Sequence, residues 1–205
     1  MKKVSNQKKQ IENRLERLSH IQRLAFAASC CERAFPNYVL FTQLAHWGDS
    51  AVFRTSLNAV WELIEGSKST LTKLPTLEQE CAAMTPDLDD FSTPDIDVQA
   101  AAGQEAAFMI SLLLQFCQEN ELAHASSIAS FSLDTIDMYV QVLGNLDPGD
   151  PQLDDRIDSH LLMVAELRKQ EDDVRRLETL STPEEMRGFR RLASNPKKSN
   201  IGLSV

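Results

Sequence analysis

Ala100–Cys117, with the sequence AAAGQEAAFMISLLLQFC, is the stretch that decides the fold. Its first half is made of small residues, which let two helices approach each other closely, and its second half is apolar. The apolar run Ala106–Cys117 has about half of the ~20 residues that a membrane-spanning helix needs, so a buried core helix explains it better. We therefore predict a long core helix over about Val98–Glu119 and no association with a membrane.

The composition of the whole chain also favours helices. Its 205 residues include 26 Leu and 19 Ala but only 9 Ile and 10 Val, and Gly and Pro are few, at 7 and 8. Leu and Ala are good helix formers, whereas β-branched residues favour strands. No internal repeat or low-complexity linker divides the sequence. We predict an all-α fold, in which residues 1–205 form a single-domain bundle of about eight helices with an irregular C-terminal tail over 195–205.

Capping and breaking residues predict where the helices before this core begin and end. Ser19 stands where it can cap a helix whose apolar spacing runs up to Pro36. Because proline lacks the backbone N–H that a helix uses, Pro36 is predicted to interrupt this helix. The helical pattern resumes over Asn37–Trp47, and Asp49 is the predicted cap of the next helix.

Apolar spacing and helix-start residues in the second half of the chain predict three further helices. One covers about Leu122–Leu143, and a long one covers about Gln152–Leu180 after a strong turn. Thr182 is followed by proline and two glutamates, which is a good helix start. The last helix is therefore predicted over Pro183–Ala193.

Charge is segregated along the chain. The 30 acidic and 21 basic side chains give a net charge of −9. Residues 1–73 carry 11 basic and 6 acidic side chains, residues 74–155 carry 16 acidic and no basic ones, and residues 156–205 carry 10 basic and 8 acidic ones. Either the basic ends fold back onto the acidic middle, or the middle forms a face that binds a basic partner or divalent cations. A net-negative chain is a poor candidate for direct binding of nucleic acid.

The N-terminus and the cysteines indicate a cytoplasmic protein. The basic N-terminus is not followed by an apolar stretch, as it would be in a secretory signal. The cysteines have no C-x-x-C spacing and lie in apolar surroundings, so we expect buried free thiols and neither a redox nor a zinc site. They are Cys30, Cys31, Cys81 and Cys117. No metal or other cofactor is predicted.

Polar side chains interrupt an otherwise apolar region around the predicted helix break. The segment Cys31–Tyr38, CERAFPNY, mixes charged, amide and phenolic groups, and more charged residues follow closely. We expect a buried structural network in which carboxylates pair with arginines and the amide closes a helix end, and a binding site is the second interpretation. The six candidate site residues are Glu32, Arg33, Asn37, Tyr38, Asp49 and Arg54.

Two pairs of carboxylates provide an enzyme hypothesis. Glu62 and Glu65 lie one helical turn apart, and Asp87 and Asp90 repeat that spacing. These pairs resemble the acidic motifs of all-α nucleotide pyrophosphohydrolases, in which carboxylates hold Mg²⁺ against a triphosphate. The alternative function is therefore a magnesium-dependent hydrolase of a nucleotide or another phosphate ester, and it requires the four carboxylates to converge.

Short motifs spread over most of the chain, and densest in its first third, carry a family resemblance. They are Arg14-Leu15-Glu16-Arg17-Leu18, Cys31-Glu32-Arg33, Pro36-Asn37-Tyr38, Gly48-Asp49, Trp61-Glu62, Asp89-Asp90-Phe91 and Ser199-Asn200-Ile201-Gly202. With them the chain resembles the YjaG family, small cytoplasmic proteins of proteobacteria known as a domain of unknown function. The resemblance implies an all-helical fold and a cytoplasmic location. It implies no activity, cofactor or catalytic residue.

No complete catalytic set is visible, so the sequence favours a cytoplasmic, non-enzymatic helical protein that acts through protein–protein contacts. A homodimer is the expected assembly, because isologous association would bring the basic ends of one copy against the acidic middle of the other. The alternatives are the magnesium-dependent hydrolase and an acidic module that docks onto a basic partner protein.

Overall fold

The small residues that open the central stretch bring two long helices into close contact. In this computed structural model, which describes residues 2–91, 96–194 and 198–204, the helix that contains Gly103 packs against the helix that contains Phe41. A Cβ atom at position 103 would lie only 2.8 Å from the Cβ atom of Phe41. The predicted close approach is confirmed, and a glycine is required at its centre.

Within the described ranges the fold has nine α-helices and no strand, which confirms the all-α prediction. The helices are α1 (Lys2–Leu15), α2 (His20–Ala45), α3 (Ser50–Ile64), α4 (Leu74–Ala83), α5 (Asp97–Gln118), α6 (Leu122–Leu143), α7 (Leu153–Ser159), α8 (Leu161–Leu177) and α9 (Pro183–Ala193). Short 3₁₀ helices cover Lys68–Lys73 and Leu88–Phe91. Of the predicted tail, residues 198–204 contain no helix, whereas 195–197 and 205 lie outside the described residues.

α5 is the core helix that the central stretch predicts. By length and composition it could cross a bilayer, because its most apolar 18-residue window has a mean hydropathy of 1.3. However, 61% of that window is buried inside the fold. Its main neighbours are α2 and α6, as expected for the central helix of a bundle.

α2 continues through Pro36, so the prediction that this residue interrupts the helix is wrong. The helix runs from His20 to Ala45, and 15 of its 26 residues are buried. Because a proline lacks a backbone N–H, the helix loses one internal hydrogen bond at this point. One turn earlier, the carbonyl of Arg33 accepts a hydrogen bond from the backbone N–H of Asn200, at 2.9 Å. Packing on several sides therefore holds together a helix that local preference would break.

The long helix predicted over about Gln152–Leu180 is in fact two helices, α7 and α8. They meet at His160, whose backbone is extended and whose Nδ1 accepts a hydrogen bond from the N–H of Leu162 at 3.3 Å. Histidine is not among the preferred capping residues, and neither glycine nor proline marks this break. The sequence therefore lacks the usual signal for it.

The other predicted helix starts are confirmed. Ser19 and Gln22 form a capping box at the start of α2, and Thr182 and Glu185 form another at the start of α9. Asp49 caps α3 by accepting a hydrogen bond from a backbone N–H. These caps fix the positions at which α2, α3 and α9 enter the core.

Candidate functional site

The six candidate residues do not form one site. Glu32 and Arg33 are neighbours on α2, and neighbouring helical side chains point about 100° apart. They therefore reach different parts of the core. The structure divides the six residues among four places. These are the Glu32–Arg54 pair, the network around Arg33, the Asn37–Asn200 pair and the joint between α2 and α3, which contains Tyr38 and Asp49.

The ion pair between Glu32 and Arg54 joins α2 to α3. The buried carboxylate of Glu32 accepts two hydrogen bonds from the guanidinium of Arg54, at 2.9 and 3.0 Å. It also accepts one from the indole Nε1 of Trp61 at 3.0 Å and one from the hydroxyl of Ser194 at 3.3 Å. The Arg54 guanidinium lies over the ring of Phe35, 4.3 Å from its centroid. All these contacts are internal to the fold, so this pair is structural.

Arg33 is the centre of the arginine network, which joins α2 to α8. Its guanidinium donates to both oxygens of Glu166, at 2.8 and 2.9 Å, and to Asp173 at 2.8 Å. The remaining donors reach the carbonyl of Ser29 at 3.0 Å and the sulfur of Cys30 at 3.4 Å. Since a guanidinium has five N–H donors, this buried arginine is fully satisfied.

The carboxylates of this network are equally well bonded. Glu166 also accepts hydrogen bonds from Ser132 at 3.0 Å and from Gln170 at 3.1 Å. Asp173 accepts one from the hydroxyl of Ser29 at 2.8 Å and one from Lys169 at 3.0 Å. A buried network of this kind fixes the relative positions of the helices that contribute to it.

The pKa values in the network favour a charged Glu166 and a neutral Cys30. Burial by itself raises the pKa of Glu166, but the charge of Arg33 and the hydrogen bonds to the carboxylate lower that pKa by more, so it lies below the ordinary value. Burial raises the pKa of Cys30 to about 12, so this thiol stays protonated at neutral pH. The network therefore contains an ion pair and an unreactive thiol, which suits a structural role.

Asn37 connects α2 to the C-terminal segment. Its amide nitrogen donates to the side-chain oxygen of Asn200 at 2.8 Å. Asn200 in turn donates to the carbonyl of Ser132 at 3.0 Å, and its backbone N–H donates to the carbonyl of Arg33. Residues 198–204 therefore fill the space beside the proline turn of α2. Asn37 connects helix to tail here and closes no helix end.

Tyr38 and Asp49 lie at the joint between α2 and α3. The buried Tyr38 hydroxyl donates to the backbone carbonyl of Met84, and a Cβ atom on Gly48 would lie 2.6 Å from that hydroxyl. Burial raises the pKa of Tyr38 to about 12. The Asp49 carboxylate accepts a hydrogen bond from the N–H of Ala51 at 2.8 Å. This pair shapes a helix joint.

The four carboxylates of the hydrolase hypothesis do not converge on one metal site among the described residues, so the requirement of that hypothesis is not met. Glu65 pairs with Arg190 at 3.2 Å, whereas Asp87 accepts a hydrogen bond from the backbone N–H of Asp89 at 3.1 Å, in the turn that opens a 3₁₀ helix. In the part of the chain that the structure describes, no three His, Cys, Asp or Glu side chains lie close enough to hold a metal ion. The four residues of the hypothesis were Glu62, Glu65, Asp87 and Asp90.

Sequence reasoning missed the α8 half of the arginine network. Glu166, Gln170 and Asp173 follow one another at spacings of four and three residues, so they lie on one stripe of the helix. That stripe also carries the buried apolar residues Leu167 and Val174. Polar residues at core positions of an amphipathic helix are the signal that could have found them.

The acidic middle of the chain meets the basic N-terminal helix at the surface. A groove of about 540 Å³ has Lys8 and Lys9 of α1 on one side and Asp137 and Asp154 on the other. A second groove, of about 390 Å³, shares Asp137 and continues along α6. We call this area the α1–α6 surface, defined by Lys8, Lys9, Asp134, Asp137, Met138, Val142 and Asp154.

The charges of the α1–α6 surface influence one another. Partial burial raises the pKa of Asp134, the charge of Lys8 lowers it and the charge of Asp137 raises it, with a net increase. Asp134 in turn helps burial to raise the pKa of Glu105 on α5. Burial is the main cause of both increases, so Asp134 and Glu105 lie in a partly desolvated part of the structure.

Comparisons with known proteins agree in sequence and in fold. Residues 10–204 match the family model described as protein of unknown function (DUF416). The uncharacterized protein YjaG of Escherichia coli K12 is 29% identical over 147 residues, or 70% of this chain and 71% of that protein. The YjaG protein of Salmonella typhimurium is 28% identical over the same shares of the two chains. The crystal structure of a DUF416 family protein from Shewanella baltica OS155 is similar at a TM-score of 0.84 and 28% identity, covering 95% of this chain and 98% of that one.

Proposed function

Since the chain belongs to the DUF416 family of proteins of unknown function, we propose a function from its own surface. The protein is a cytoplasmic, non-enzymatic protein that acts through protein–protein contacts, and its first partner is a second copy of itself. The α1–α6 surface forms the contact between the two copies.

The observation that carries this proposal is the placement of opposite charges side by side. On the α1 side of the groove the lining contains Lys8 and Lys9 together with Glu12, and on the other side it contains Asp137, Asp154 and Asp158. In an isologous dimer the basic patch of each copy meets the acidic patch of the other, so the same contact occurs twice. Neighbouring patches of opposite charge are therefore self-complementary. In such a dimer the carboxylates of Asp134 and Asp137 would gain the lysines of the second copy.

Exposed apolar side chains add to the same surface. Val142 is 51% exposed, and its neighbour Leu143 at the end of α6 is 66% exposed. Met138 lies one turn before Val142 and is partly buried. Apolar side chains grouped on a surface rimmed by charges are typical of protein interfaces.

The lysines favour a second copy over a basic partner protein. A module that docks onto a basic partner needs a continuous negative face, and Lys8 and Lys9 interrupt that face between α1 and α6. The cytoplasmic location is supported by the cysteines, since all four are free and buried. Free thiols are usual in a reducing compartment.

A charge exchange between two variants tests the dimer and its surface together. Lys8→Glu/Lys9→Glu makes both patches negative, and Asp134→Lys/Asp137→Lys/Asp154→Lys makes both positive. Each variant alone should be monomeric by light scattering at micromolar concentration, because like charges then meet across the interface. Mixed one to one they should form a heterodimer, because both contacts are again between opposite charges.

A matched control is Arg187→Glu/Arg191→Glu, which changes the net charge as much as the lysine variant does. Both arginines are exposed on α9 and lie outside the α1–α6 surface. This control should dimerise like the wild type. If the mixture of the two exchanged variants stays monomeric while the wild type is a dimer, another surface forms the contact.

A further inference from the structure

A second cavity, lined by none of the residues of the α1–α6 surface, lies between four other parts of the fold. The start of α2, the end of α3, the 3₁₀ helix Lys68–Lys73 and the start of α9 enclose about 850 Å³. This volume is within the range of about 300–1,000 Å³ that is typical of small-molecule sites. Most of its wall is apolar and includes Leu24, Leu63 and Met186.

The polar part of the lining is cationic. Among the described residues that line the cavity, Lys68 carries the one permanent charge and no carboxylate is present. His20 is also part of the lining, with its ring edge-on to Phe116 at 5.1 Å between centroids. Its Nδ1 is buried and is not exposed to the cavity. The charge of Lys68 is therefore the feature of the lining that attracts an anion.

The two helix starts at the cavity are already satisfied by their own side chains. Gln22 and Glu185 close the capping boxes of α2 and α9. The amide nitrogen of Gln22 also donates to the carbonyls of Leu177 and Leu180, at 2.7 and 2.8 Å, which ties the start of α2 to the end of α8 and the connection to α9. The attraction for an anion therefore comes from Lys68, not from the free N–H groups of a helix start.

We propose that this cavity binds an aliphatic carboxylate. The apolar wall takes the hydrocarbon chain, and the carboxylate pairs with the ammonium of Lys68. A single cation at the edge of an apolar cavity selects a ligand with one negative charge on an apolar body. This site is independent of the proposed dimer, because the two areas share no residue.

Titration calorimetry with dodecanoate, below the concentration at which it forms micelles, tests the site. We expect one molecule bound per chain, with dodecan-1-ol bound more weakly by about tenfold because it lacks the charge that Lys68 pairs with. Lys68→Gln should weaken the binding of dodecanoate by a similar factor and leave the binding of dodecan-1-ol unchanged. Leu71→Trp, at a 43%-exposed position in the lining, should obstruct part of the cavity and weaken the binding of both ligands.

Matched controls separate the cavity from general effects. Lys73→Gln removes the same charge from the other end of the same 3₁₀ helix, outside the lining, and Leu192→Trp adds the same indole on α9. Both should bind dodecanoate like the wild type. Circular dichroism confirms that each variant keeps its helices.

Three results would overturn the proposal. The first is that dodecanoate does not bind the wild type, and the second is that it binds no better than dodecan-1-ol. The third is that Lys73→Gln weakens the binding of dodecanoate as much as Lys68→Gln does. Sedimentation with phosphatidylglycerol vesicles provides a further test. Vesicle binding that depends on Lys68, without binding of dodecanoate, would assign the site to a bilayer lipid and reject the free carboxylate.

Discussion

Arg33 has two carboxylate partners in the core, and Arg175 has two on the surface. Arg33→Met leaves Glu166 and Asp173 buried without this cation, so we expect the free energy of unfolding to fall by about 3–5 kcal/mol. Arg175→Met removes the same side chain from Glu171 and Asp172, but this arginine is exposed and the expected loss is below about 1 kcal/mol. Urea unfolding followed by circular dichroism measures both. Equal losses would contradict a structural role for the buried network.

Glu166 also predicts how stability depends on pH. Its pKa in the folded protein lies below the ordinary value of 4.5, so the folded state takes up this proton less readily than the unfolded state. The contribution of Glu166 to stability is therefore complete above pH 4.5 and is lost as the pH falls through the lowered pKa. Glu166→Gln should be clearly less stable than the wild type at pH 7 and closer to it near the acid end. The exposed Glu171→Gln should track the wild type throughout.

The sequence identifies Arg33 as a residue of interest but not its partners. A charged residue among apolar neighbours on α2 predicts a buried network, and the structure contains one around it. Its partner Glu166 is 133 residues away, however, and no local rule connects the two. The same holds for Asn37 and Asn200, which are 163 residues apart. Some residues of the buried network can therefore be predicted from the sequence, whereas their partners depend on the tertiary fold.

At the level of elements, local signals predict the starts of helices better than their interruptions. Ser19 and Thr182 act through hydrogen bonds to residues three positions away, so the sequence suffices to find them. The break predicted at Pro36 and the unbroken helix predicted over about Gln152–Leu180 are both wrong. Burial on several sides holds α2 together across Pro36, and His160 supplies a cap that histidine rarely provides.

The segment 198–204 stabilises α2 although it contains no helix. Asn200→Ala removes the partner of Asn37 and the donors to Ser132 and should lower the free energy of unfolding by about 1–3 kcal/mol. Ser204→Ala, an exposed change in the same segment, should alter it by less than about 0.5 kcal/mol. Thermal and urea unfolding measure both variants. A loss at position 200 no larger than at 204 would mean that the segment only covers α2.

For the whole molecule, the segregated charge predicts a mass that depends on salt. Light scattering at micromolar concentration should give twice the mass of one chain at low salt. The dimer should weaken at high salt, because the Debye length falls from about 10 Å at 0.1 M to about 3 Å at 1 M. Lys9 and Asp154 are exposed and are therefore open to this screening. A mass of one chain at both salt concentrations would exclude the homodimer.

The docking of residues 198–204 beside Pro36 also has a consequence for the order of events during synthesis. A ribosome that has just made Asn37 must add 163 more residues before Asn200 exists, and 133 separate Arg33 from Glu166. Until then the nascent α2 carries a charged guanidinium and an amide on a surface that is later buried. Contacts this distant in sequence form late and slow the folding of a chain. Completion of this core therefore waits for residues 198–204, which are synthesised long after the α2 residues that they cover.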